Sequence, residues 1–178
     1  SVFHPEALAA IPAGFEKFSL PAVKMLPGFA LDTTPLPTAI TSISNLPALS
    51  SSINRSGFVN RVLDVDGILR RASPVMLMGG KAYGSLPLEM AQVIRGEKVS
   101  LTLNGDGTVG EMHWEKTGKI IPTSPQGSLD INFLGPERHL RYVSALQVLQ
   151  HAAGDRSLAS LRDTFQGAHV LIGVSALA

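Results

Sequence analysis

Proline and charge are unevenly distributed along this chain, and that unevenness restricts its fold more than any other feature. Residues 1–54 hold seven of the twelve prolines but only five charged side chains, Glu6, Glu16, Lys17, Lys24 and Asp32, while residues 55–178 carry the rest. Proline removes a backbone donor and turns the residue before it away from helix, so Pro12, Pro21, Pro27, Pro35, Pro37 and Pro47 permit only short elements. A brief helix fits Pro5–Ala10, with proline in the first turn. The segment is nonetheless too apolar to stay in water (Phe15, Phe18, Leu20, Val23, Met25, Leu26, Phe29, Leu31). The expected organisation is therefore a mostly irregular arm over residues 1–55, packed on a domain formed by residues 56–178.

Composition removes several classes of function. Fifteen Lys and Arg against fourteen Asp and Glu give a net charge of +1 with no dense basic block, so neither nucleic acid nor an anionic membrane surface is an expected partner. The absence of cysteine excludes a disulfide scaffold, a thiolate zinc site and a cysteine nucleophile. The longest apolar tract, Val170–Val174, is far shorter than the roughly 18 residues of a membrane span. The start at Ser1, without a basic or apolar leader, suggests an excised segment of a longer product.

From Gly57 onward the apolar period switches between two and about 3.6, which predicts mixed α/β structure: a twisted mixed sheet with hairpins, flanked by a few short helices. Phe58–Leu63 and Ile68–Arg71 are expected to pair through Asp66-Gly67, and Val75–Met78 to pair with the run to Tyr83 through Gly79-Gly80. Ser85 caps a predicted helix over Leu86–Arg95 that Gly96 stops, with Leu86, Met90, Val93 and Ile94 as its apolar face. Val99, Leu101 and Leu103 alternate as a strand, and Asn104-Gly105-Asp106-Gly107 turns into a second strand ending near Glu115. Leu129, Ile131 and Phe133 predict another strand. Ser144 caps a helix to about Gln150, and Ser157 caps one to Phe165. The continuous run Val170–Val174 predicts a strand buried on both faces.

Motifs with chemical meaning fail on context. Gly105, Gly107 and Gly110 fit a dinucleotide fingerprint, with Asp130 at the distance of a ribose-binding acid, but a strand follows where a helix must receive the pyrophosphate. Asp64, Asp66 and Gly67 open like a calcium loop that lacks its closing glutamate. Glu111, His113 and Glu115 share one strand face and are weak metal candidates, more simply read as the wet face of an amphipathic strand. Gly173–Leu177 lacks the second glycine of a nucleophile elbow around Ser175. Gly79-Gly80-Lys81 and Gly118-Lys119 lack the rest of a P-loop. His4, His139, His151 and His169 share no ligand spacing. Arg70-Arg71 and Arg138–Arg141 could clamp an anion, although their commoner fate is pairing with Asp64, Asp66, Asp130 or Glu137.

Five collinear blocks resemble one family. They are Gly57–Asn60 with Asp64–Ala72 (DVDGILRRA), Tyr83–Ala91 (YGSLPLEMA), Ile121–Thr123 with Gly127–Pro136 (GSLDINFLGP), Tyr142–Ala145, and Val170–Ala176. This pattern is similar to the cyclase- and histidine-kinase-associated sensory extracellular domains of the second type (the CHASE family). The blocks leave out residues 1 to about 55, which points to the later part of such a domain or to a divergent one. The resemblance implies an extracytoplasmic sensor on membrane helices, joined to a cytoplasmic nucleotide cyclase or protein kinase. It implies no catalytic residue and no cofactor in this chain.

On that reading the partners are an unknown small-molecule ligand, the membrane helices and output domain of the parent chain, and a possible second copy. Arg70, Tyr83, Asn132 and Arg141 are the expected ligand contacts, because polar groups at strand ends and after turns can converge on a cleft. Two rivals are a ligand-free dimerisation module built on Phe58, the arm and the final strand, and a small metal enzyme using Glu111, His113 and Glu115.

Overall fold

A computed structural model describes residues 14–40, 42–43, 45–61, 63–135, 141–155 and 160–173. The chain divides into two compact units, Ser1–Asn132 and Phe133–Ala178. The first is mixed α/β. Its centre is the strand β6 (Val99–Leu103), whose Val99, Leu101 and Leu103 are fully buried while the residues between them are half-buried. Each fully buried aliphatic side chain contributes about 1.5–3 kcal/mol relative to exposure, so this one strand anchors a large part of the core. β6 pairs antiparallel with β7 (Val109–Trp114) and parallel with β1 (Ala22–Met25), in the order β1-β6-β7.

A second sheet joins β2 (Thr38–Ala39), β4 (Val75–Met78) and β5 (Lys81–Gly84), in the order β2-β4-β5. The hairpin of β4 and β5 turns at Gly79-Gly80 as the sequence predicts, and β2 joins β4 in parallel. Thus each sheet takes one strand from the proline-rich stretch, which also places Leu20 and Leu36 in the core beside Leu77, Leu101, Met112 and Trp114. Its remaining regular piece is the short α1 (Pro47–Ser52).

The Asn104–Gly107 turn joins β6 to β7, and a strand, not a helix, follows the three glycines. Asp106 Oδ1 accepts from the Thr108 amide at 3.0 Å and its hydroxyl at 2.6 Å, which holds the Asp106 carboxyl below the usual range. The glycines leave room for the arm. A Cβ on Gly105 would overlap the Pro27 carbonyl, and one on Gly107, at φ +85, would stand 2.6 Å from Thr34 Cα.

Several expectations need correction. Phe58 does not open a hairpin. It bridges Ser85 in parallel, and only the turn survives of the predicted pair, with Gly67 N–H to Asp64 O at 2.8 Å and Asp64 N–H to Ile68 O at 3.1 Å. Strand pairing resumes at β3 (Arg71–Ala72), which meets β8 (Leu129–Asp130) in a two-stranded ribbon. The strand expected from Leu129, Ile131 and Phe133 is therefore only two residues long, and Phe133 is exposed. β7, in contrast, ends at Trp114, next to the expected Glu115, where the chain turns: Gly118 N–H reaches Trp114 O at 2.8 Å.

The helix α2 (Leu86–Arg95) has the predicted bounds, the Ser85 cap and the Gly96 stop, but the opposite face is buried. Leu88, Glu89 and Gln92 face inward, whereas Leu86, Val93 and Ile94 are 38%, 56% and 52% exposed. Burial of the polar face is affordable because its groups are paired, as described below.

The second unit contains α3 (Ala145–Ala152), with a Ser144/Gln147 capping box, and α4 (Ser160–Phe165). The buried terminal strand is not found: Val170, Leu171 and Ile172 are exposed and unpaired with any strand among the described residues. An all-apolar strand needs neighbours on both edges and cover on both faces, and no described strand supplies them. Pro5–Ala10, Ser157, Val174 and Ser175 lie outside the described residues. Among those described, no helix is long and apolar enough to cross a membrane.

Candidate functional site

A half-open cleft of about 220 Å³ lies in the first unit between the arm and α2. One wall comes from residues 17–21, where a 3-10 turn, Phe15–Phe18, delivers the chain to β5. Leu20 N–H donates to Ala82 O at 2.8 Å, and Ser19 bridges Tyr83. Lys17 is fixed by Nζ donation to Ser50 O at 2.9 Å and Ile53 O at 3.0 Å, and its ammonium lies 4.8 Å from the Phe18 ring centre. Asn54, Arg55 and Ser56 form a second wall as the chain approaches Phe58. The buried Glu89 and Gln92 of α2 form the floor, and Lys98 also lines the cleft.

The floor is a buried polar relay. Arg55 Nη1 donates to Glu89 Oε2 at 3.0 Å, Gln92 Nε2 donates to Glu89 Oε1 at 2.9 Å, and Val99 N–H donates to Gln92 Oε1 at 3.1 Å. Glu89 is 7% and Gln92 2% exposed. Each buried oxygen has a donor, which is what makes a polar helix face tolerable in the interior. Gly84 is part of this arrangement: a Cβ there would stand 2.5 Å from Glu89 Oε1.

Of the four ligand contacts expected from the sequence, Arg70, Tyr83 and Asn132 lie in the first unit and Arg141 in the second. Arg70 and Asn132 lie at the same end of the β3–β8 ribbon, where Ile131 N–H donates to Arg70 O at 2.8 Å. Arg70 is engaged with the turn carboxylates, 2.7 Å from Asp66 Oδ2 and 3.5 Å from Asp64 Oδ2. That guanidinium holds the Asp66 carboxyl below its ordinary range. Arg71 lies 3.7 Å from Asp130. Tyr83 is buried in a separate cluster with Phe18 and Met78, its ring 5.5 Å from that of Phe15. Its hydroxyl has no hydrogen-bond partner among the described residues, and burial pushes its pKa up. Asn132 is exposed, and Arg141 is an exposed residue of the second unit.

On β7, Glu111 is exposed and His113 half-buried, while Met112 and Trp114 are buried on the other face. His113 Nδ1 stands 3.6 Å from Glu111 Oε1, near enough for charge pairing and too far for a hydrogen bond. Among the described residues no three metal-ligating side chains converge, so Glu115 does not complete a site. Gly79-Gly80-Lys81 is the β4–β5 turn, and its lysine pairs with Glu16 at 3.1 Å.

Sequence reasoning missed Glu89, Gln92 and Arg55 because a polar helix face is ordinarily the wet one. The available signal was that Glu89 sits in the same block as Gly84 and the capping Ser85, four residues from that cap. Among the described residues no histidine lines the cleft, and the chain has no cysteine. Its cations and amides are suited to holding a ligand by charge and hydrogen bonds.

A family profile described as the CHASE2 domain matches residues 7–178. The match takes in the proline-rich stretch that the five blocks left out, in agreement with the strands this stretch gives to both sheets. No curated protein and no solved structure gives a match. With nearly its whole length covered, the chain belongs to the CHASE2 family of extracellular sensory domains.

Proposed function

We propose that this chain is the signal-input region of a membrane-anchored receptor that controls a nucleotide cyclase or a histidine or serine/threonine kinase in the same polypeptide. Its ligand seats in the cleft between the arm and α2. Membership of a sensory family over residues 7–178 carries this reading, since both walls and the floor of the cleft lie inside the matched span. A ligand touching residues 17–21, Asn54–Ser56 and α2 together favours whichever arrangement holds those segments closest. Moving such an equilibrium from 1:99 to 99:1 takes about a 10⁴-fold preference for one state.

The test is the response of the intact receptor. Replacing Asn54 and Lys98 by alanine should blunt the signal-dependent change in output while basal output persists. A companion variant carries alanine at Arg70, Asn132 and Arg141 and phenylalanine at Tyr83. A response lost only in that variant moves the ligand seat away from the cleft, and a full response in both removes ligand sensing from this chain.

The exposed stripe of Leu86, Val93 and Ile94 on α2 favours a second reading, a dimerisation module without a ligand. Under that reading Val93→Glu abolishes a dimer seen by sedimentation, and no metabolite shifts the melting temperature.

A further inference from the structure

We infer that the ligand of this cleft is a small organic anion with a carboxylate or phosphate head and a short apolar body. The inference rests on the cleft being the sensory site.

The cleft is lined by three cations, Lys17, Arg55 and Lys98, against one carboxylate, Glu89, in a chain whose net charge is only +1. Glu89 is already committed, since both its oxygens accept hydrogen bonds, from Arg55 and from Gln92. It orients the guanidinium and is not open to an incoming cation. The donors, in contrast, are left over. Lys98 is exposed, and its ammonium has no ion pair or hydrogen bond among the described residues. Arg55 spends one guanidinium nitrogen on Glu89, leaving the rest of a fork suited to carboxylate or phosphate oxygens. Lys17 spends two protons on Ser50 O and Ile53 O, and a lysine carries three.

Phe18, Leu20 and Pro21 add an apolar wall, which calls for a hydrocarbon portion beside the charge. At about 220 Å³ the cleft is below the roughly 300–1,000 Å³ typical of drug-sized ligands. The occupant is correspondingly small.

The experiment titrates the full chain, labelled with ¹⁵N, with succinate and with phenyl phosphate, using succinamide as the neutral control and choline as the cationic one. The expected result is amide shifts at Asn54, Arg55, Ser56 and Lys98 with one or both anions and with neither control. The affinity should weaken on raising NaCl to about 0.3 M. Lys98→Ala should weaken binding about fivefold, as loss of a partly exposed ion pair does, while Lys119→Ala, an exposed cation outside the cleft, leaves it unchanged. Lys98 anchors nothing through its side chain, so this variant should fold.

Shifts at the same amides with succinamide or choline would overturn the anion assignment and leave the cleft as the sensory site. An anion that binds equally well to Lys98→Ala and is insensitive to salt overturns it too. If none of the four compounds moves these amides, the assignment also fails. Signalling by the intact receptor with Asn54 and Lys98 replaced then decides separately whether the cleft is the sensory seat.

Discussion

Gly84→Ala probes the polar relay under the cleft without touching any member of it. The new methyl would lie 2.5 Å from Glu89 Oε1 and 3.3 Å from its Cδ, so the carboxylate has to move. It cannot move freely, since Arg55 holds one oxygen at 3.0 Å and Gln92 the other at 2.9 Å. Displacement removes at least one hydrogen bond to a charged group, about 1.5–3 kcal/mol, and weakens the second. A total cost of about 3 kcal/mol lowers the melting temperature by about 6–12 °C for a chain of this size. In a Glu89→Ala background the same methyl meets no carboxylate, and its effect should be neutral or slightly stabilising through the unfolded chain. The assay is a urea double-mutant cycle followed through the fluorescence of Trp114, the only tryptophan, with the m-value checked for constancy. Coupling of about 2 kcal/mol or more is expected. Coupling below about 0.5 kcal/mol, the limit for independent sites, would refute the claim that Gly84 makes room for Glu89.

Glu97 predicts a pH dependence. Burial alone would raise its pKa, but the amides of Thr117 and Lys116, the Thr117 hydroxyl and Arg95 outweigh that and hold it below the ordinary 4.5. Its stabilisation is therefore fully present above about pH 4.5 and is lost as pH falls through the lower folded value. Glu97→Gln should flatten that acid limb in pH-dependent melts, and an unaltered limb would contradict the assignment. Arg95, which bonds Glu97, also lies 4.5 Å over the Trp114 ring, so Glu97→Gln should shift Trp114 emission as well. Gly107→Ala forces an unfavourable positive φ against Thr34. It should loosen the Pro27–Thr34 loop and speed its cleavage in limited proteolysis, whereas Gly118→Ala, also at positive φ but with open space around it, should leave that loop protected.

What could be read from the sequence was local. Ser85 and Gly96 delimit α2 through chemistry within a few residues of each end, and the β4–β5 and β6–β7 hairpins carry their turns with them. What escaped depends on distant partners. The alternation in Phe58–Leu63 suits a hairpin, yet Phe58 reaches Gly84 and Leu86 through backbone bonds of 3.1 and 2.9 Å, a pairing no local pattern announces. The buried face of α2 was misread because Arg55, 34 residues away, turns Glu89 from a surface group into a floor. The parallel pairing of β1 with β6 likewise joins residues nearly eighty apart. The candidate site was less legible than the fold. Arg70, an expected ligand contact, is engaged with Asp64 and Asp66, the commoner fate of such an arginine, while the cleft-lining Lys17, Arg55 and Lys98 belong to no motif.

The central claim is that this chain faces the outside of the cytoplasmic membrane as a sensor. Because the chain has no cysteine, one introduced thiol reports its location cleanly, provided any cysteines elsewhere in the parent protein are first replaced. Lys98→Cys in the parent protein should react with a membrane-impermeant maleimide while the cytoplasmic membrane is intact. Labelling that appears only after the membrane is opened would contradict the account.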